Sequence, residues 1–85
     1  MDPRPALELG PDGIRRPESV ERRLNAVMVA VFSGAEGQEV LDYLRAITLN
    51  RVNGPEVSTD ALRHHEGMRF LFQVIAGRIE RGMRQ

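Results

Sequence analysis

The stretch 61-ALRHHEGMRFLFQVIAGRIERG-82 decides the fold class. Met68, Leu71, Phe72, Ile75, Ala76 and Ile79, with Met83 just beyond, recur at three- and four-residue spacing and share one broad arc of a helix. A second, narrower stripe, Gly67, Phe70, Val74 and Gly77, runs along another side, with Arg63 and Arg81 at its two ends. Two glycines inside a helix cost about 1 kcal/mol each relative to alanine. A helix tolerates that where another backbone approaches closely. Either this helix is central and touches both its neighbours, or the stripe is the apolar centre of a subunit interface with an arginine rim.

The adjacent His64 and His65 raise the question of a metal. A helical zinc motif needs His-Glu-x-x-His, which sets two imidazoles four residues apart on one face. Here Arg69 stands where the second ligand would be, and neighbouring histidines diverge by about 100° around a helix. No metal site and no cofactor are expected. His65 reads as a partly buried ring within the apolar arc. The nucleophile elbow, phosphate loop and dinucleotide fingerprints are also missing, so no catalytic residues are assigned.

Working outward, Pro17 suits the first position of a helix, and Glu18 and Glu21 complement its dipole. Val20, Leu24, Val27 and Val31 follow 4-3-4 spacing. Val29 and Phe32 fall off that face, so this helix looks apolar nearly all round, with Gly34 as its stop. A second helix follows, with Val40, Tyr43, Leu44 and Ile47 as its apolar face and Leu41 off it. Asn53-Gly54-Pro55 makes a turn. Ser58 or Thr59 caps the third helix, Asp60 complements its dipole, and Gly82 terminates it. The expected fold is all-α: a three-helix small domain at about 17-33, 35-49 and 58-81, occupying residues 18-85.

Residues 1-17 hold four of the five prolines and two glycines, and no helix or strand period fits them. They read as an extended or disordered arm that orders against a partner, with Leu7, Leu9 and Ile14 as anchors.

Composition limits the function classes. Eighty-five residues make one small domain with a marginal core, and the absence of cysteine excludes disulfides and thiolate metal sites. Such scaffolds often gain stability by oligomerising or docking. Twelve basic residues, all arginine, balance twelve acidic ones. The basic excess of a nucleic-acid-binding domain is missing, so nucleic acid is not an expected partner. The longest apolar run is Ala26 to Phe32, far short of a membrane span, and the N-terminus has no apolar signal region. Synthesis in the cytoplasm is expected.

Two segments carry a resemblance, 32-FSGAEGQEVLDYL-44 and 66-EGMRFL-71, the latter followed by Ile75 and Ile79. Together they resemble a family of small tailed-bacteriophage and prophage proteins, a phage domain first noticed in a Bordetella podovirus. Its members show a phenylalanine, a glycine and a V-L-x-x-L run, then a loop, then E-G-x-R and a helical tail. The likeness spans roughly residues 27-82. It implies a phage product without enzymatic chemistry, made in the host cytoplasm and then carried in the virion. The E-G-x-R set falls on Glu66, Gly67 and Arg69. The first expectation is a minor virion component docking in multiple copies on a head or portal-connector assembly. Its partners would be other phage structural proteins (portal, connector or capsid) or further copies of itself. A DNA-packaging or regulatory DNA-binding protein, and an assembly chaperone absent from the finished particle, are the alternatives. The expected contact residues are Leu7, Leu9, Ile14, Arg63, Glu66, Gly67, Arg69, Phe70, Val74, Gly77 and Arg81.

Overall fold

The computed structural model describes residues 6-50 and 52-85. Two short strands precede three helices: β1 (Leu7–Leu9), β2 (Arg15–Pro17), α1 (Glu18–Phe32), α2 (Ala35–Ile47) and α3 (Thr59–Arg84). The fold is therefore mostly α with a small antiparallel hairpin.

The hairpin is where the sequence reading falls short. The N-terminal segment is extended, as expected, but it folds back on itself and pairs Leu7 with Pro17 and Leu9 with Arg15. The cause is local. In Gly10-Pro11-Asp12-Gly13 the proline sets φ, Asp12 Oδ1 accepts from the Ile14 amide at 3.0 Å, and Gly13 takes φ +83°, which side chains disfavour. The Gly10 amide then donates to the Ile14 carbonyl at 2.9 Å, closing a three-residue loop. Proline-aspartate-glycine between apolar residues is itself a turn signal, and it stands in the sequence. Pro17 ends β2 and also caps α1, so no linker separates hairpin from helix. The Glu18 amide donates to the Ala6 carbonyl at 3.0 Å and ties them together.

α1 and α2 meet at a two-residue corner. The Gln38 amide donates to the Gly34 carbonyl, and the Gln38 side chain donates to the Phe32 carbonyl at 2.6 Å, satisfying an orphan acceptor at the end of α1. The expected stop, Gly34, has ordinary extended backbone with φ −82°. The glycine the corner needs is Gly37: a Cβ there would run into the backbone of Val31 and Phe32. This gives a physical account of the 32-FSGAEGQ-38 motif.

Ser58 caps α3 by accepting from the Ala61 amide at 3.1 Å. The helix does not stop at Gly82 but runs to Arg84. Gly82 lies where α1 crosses α3: a Cβ there would sit 2.6 Å from the Asn25 carbonyl oxygen and 2.5 Å from Val29 Cγ2. It is a contact glycine, and the bare backbone lets the helices approach.

The packed faces also differ from the helical-wheel reading. α1 buries Glu21 and Asn25, while Val20, Val27 and Val31 of the valine stripe stay exposed. α2 buries Leu41, the residue read as off its face, and leaves Val40, Tyr43 and Ile47 exposed. α3 buries Phe72 and Arg78. Among the described residues only Leu41 and Phe72 are buried apolar side chains.

The shape explains this. The molecule measures 58 × 32 × 14 Å with a radius of gyration of 16.1 Å, more elongated than a compact domain of 85 residues. Its surface of 6332 Å² exceeds by roughly 1,200 Å² the surface expected of a compact 9.6 kDa monomer.

Candidate interaction surface

What joins the hairpin, α1 and α3 at their centre is polar. Glu21, with no exposed surface, accepts from both nitrogens of the Arg78 fork at 3.2 and 3.3 Å and from Arg16 at 3.1 Å. Arg78 also donates to Asn25 Oδ1 at 3.1 Å. Arg16 grips Asp12 through both nitrogens, at 2.7 and 3.2 Å, and Arg78 Nη2 approaches the same carboxylate to 3.6 Å. Two carboxylates and two guanidinium groups thus cancel. That balance is what makes burial of Glu21 and Arg78 tolerable, since an unpaired buried charge costs several kcal/mol. The Arg16 guanidinium, helped by the Ile14 amide and Arg78, holds the Asp12 carboxyl far below the usual carboxylate range despite partial burial. Asp12 in turn raises the pKa of Arg16.

The cluster fastens the hairpin to the two longest helices. Farther along, Arg81 donates to the Leu9 carbonyl at 2.9 Å, and Pro11 packs over Gly77, 3.3 Å from where its Cβ would be. Asn25 Nδ2 donates to Gln85 Oε1 and Gln85 Nε2 to the Arg22 carbonyl, closing the end of α3 onto α1.

The stripe read along α3 is thereby divided. Gly77 and Arg81 are engaged by the hairpin, and Val74 is half-buried. Phe70 is 58 % exposed, and among the described residues nothing outside the helix's own backbone lies within 4 Å of a Cβ built on Gly67. Arg63 is exposed. Glu66 and Arg69 pair at 2.8 Å, as their i,i+3 spacing predicts. Leu7, Leu9 and Ile14 all remain exposed on the hairpin. The structure therefore brings the arm and one half of the stripe together and leaves the other half open.

A separate apolar groove of about 170 Å³ lies between α2 and α3. Leu44, Ile47, Met68, Leu71, Phe72 and Ile75 line it, and no charged side chain does. Arg45 covers the Phe72 ring at 5.3 Å from its centroid.

Sequence reasoning missed Asp12, Arg16, Glu21, Asn25 and Arg78 as a unit. Arg78 interrupting the apolar run Ile75, Ala76, Ile79 is the one visible hint. His64 and His65 hold tilted rings 6.0 Å apart. Among the described residues no group of three or more His, Asp or Glu side chains could hold a metal, and no helix is long and apolar enough to cross a membrane.

These features define a thin, mostly helical module, braced by a hairpin and carrying open apolar faces. The model of a family described as Bbp19-like phage protein matches residues 28-83, and the chain belongs to that family. The matched segment takes in the last third of α1, the Gly37 corner, α2 and nearly all of α3. The hairpin, Glu21 and Asn25 lie outside it. No curated protein and no solved structure matches the chain.

Proposed function

We propose that this protein is a non-enzymatic structural component of a bacteriophage particle. It docks in several copies on a larger head or portal-connector assembly and remains in the virion. The observation that carries the reading is the small core, with two buried apolar side chains among the described residues, beside exposed apolar side chains on both the hairpin and α3, in a member of a phage family. A small core with this much apolar surface left open gains stability by lying on another surface. Leu7, Leu9 and Ile14 on the hairpin and Gly67 and Phe70 on α3 supply uncovered contacts, with Arg63 and the Glu66–Arg69 pair as polar neighbours. The charge balance of twelve against twelve favours a protein partner over nucleic acid. Quantitative mass spectrometry of purified particles tests this. Several copies per virion are expected, and a protein found in the infected cell but absent from particles would make it an assembly factor instead.

A further inference from the structure

We propose that the hairpin is a releasable strap over α3: its turn lifts off the helix while α1 and α3 stay joined, uncovering Gly77 and Arg81. The reason lies in how the charge cluster divides. Asp12 and Arg16 both belong to the hairpin and hold each other at 2.7 and 3.2 Å. Glu21 and Arg78 both belong to the helices and hold each other at 3.2 and 3.3 Å. Each pair is bidentate and neutral. Among the described residues, the charged contacts that cross between the pairs are Arg16 to Glu21 at 3.1 Å and Arg78 to Asp12 at 3.6 Å. Lifting the turn exchanges those two for water and strands no charge, which is the main cost of opening a buried cluster.

Little apolar burial opposes the movement. Leu7, Leu9 and Ile14 are already exposed with the strap closed. The strands lie against α1, and the turn meets α3 through Pro11 over Gly77. Arg81, donating to the Leu9 carbonyl, is a further clasp. α1 and α3 keep joints of their own, at Gly82 against Asn25 and Val29 and through Gln85 to Asn25 and the Arg22 carbonyl.

In the lifted form Gly77 and Arg81 join Gly67 and Phe70 in one face along α3. The stripe lies inside the segment that matches the family, and the strap lies outside it. Use of that face for docking rests on the virion reading above. The lifting is a property of the free chain, so the two can fail separately.

Amide hydrogen exchange on the full chain, with a lock, is the test. A Cβ at position 77 would stand 3.3 Å from Pro11 Cβ, close to the about 3.5–4.5 Å between the Cβ atoms of a disulfide. In this cysteine-free chain, Pro11→Cys with Gly77→Cys gives a lock that oxidation closes and reduction opens. A two-stranded hairpin is marginal on its own, so lifting exposes its amides. With the lock reduced, the Gly10 and Glu18 amides, bonded to the Ile14 and Ala6 carbonyls, are expected to exchange at least about tenfold faster than the slowest amides of α1 and α3. Oxidation is expected to slow them by at least about tenfold. Equal protection of hairpin and helices in the reduced chain overturns the proposal, because strap and helices then open only together. So does an oxidised lock that leaves hairpin exchange unchanged, because the hairpin then merely frays. Should the cysteine pair fail to fold or to oxidise, wild type in sub-denaturing urea decides the matter. Gly10 and Glu18 are expected to share one urea slope, above zero and below that of the slowest helix amides. A zero slope, or one equal to that of the helices, overturns the proposal.

Discussion

Arg78 and Glu21 stand 57 positions apart in sequence, yet the guanidinium fork of one meets the carboxylate of the other at 3.2 and 3.3 Å inside the protein. With Arg16 and Asn25 on the remaining lone pairs and donors, this contact joins hairpin, α1 and α3 at one point. The most destabilising single changes in the molecule are accordingly polar ones. Glu21→Ala strands Arg78 beside only Asn25 and the edge of Asp12, and should cost about 3–5 kcal/mol. Replacing Glu21 and Arg78 together by leucine and methionine should cost less than the sum of the two single changes. Urea unfolding at one fixed protein concentration, followed by circular dichroism, measures the coupling. Strict additivity would mean that the pair does not act as a unit.

Asp12 sets an acid limit. Its folded-state pKa lies far below the unfolded value, so the unfolded chain binds the proton first. Its stabilising contribution is fully present above the ordinary carboxylate range near 3.9 and is lost as pH falls below it. Asp12→Asn should therefore be less stable than wild type at neutral pH, and the two stabilities should converge as the solution is acidified. Thermal melts from neutral to strongly acidic pH check the sign. A variant whose deficit grows on acidification would contradict it.

Two glycines of α3 should respond to alanine in opposite directions. At Gly67 the space is open, so Gly67→Ala gains about 1 kcal/mol of helix propensity and raises the Tm by roughly 4–8 °C. At Gly82 the added methyl meets the Asn25 carbonyl and Val29, so α1 and α3 must part, at about 1–3 kcal/mol. Differential scanning calorimetry separates the cases, and a stabilised Gly82→Ala would refute the close approach.

Phe70→Asp probes the open half of the α3 stripe. Phe70 is mostly exposed and lies outside the α2–α3 groove, so the substitution should change unfolding free energy by less than about 0.5 kcal/mol. It should also leave the mass of the free protein unchanged while reducing its copy number in particles. Normal incorporation of Phe70→Asp would remove this patch from the docking surface.

The sequence by itself determined the three helices to within a few residues, the cap of α3 as Ser58 or Thr59, and the Glu66–Arg69 pair. Each depends on residues within a turn or two of one another, and periodicity and capping report such contacts directly. The two family segments were legible for the same reason: one is a local corner at Gly37, the other an i,i+3 pair. The hairpin was also local, and Pro11-Asp12-Gly13 signalled it, but the proline content masked the signal.

Only the tertiary structure decided which faces are buried. A helical wheel ranks faces by hydropathy, and it favours Val20, Leu24, Val27 and Val31 over Glu21 and Asn25. The packed arrangement reverses that order because Arg16 and Arg78, brought from distant elements, neutralise the carboxylate and allow it to leave water. The division of the α3 stripe has the same origin. Gly67 and Gly77 look alike along the chain, and they differ because the hairpin turn reaches one and stops short of the other.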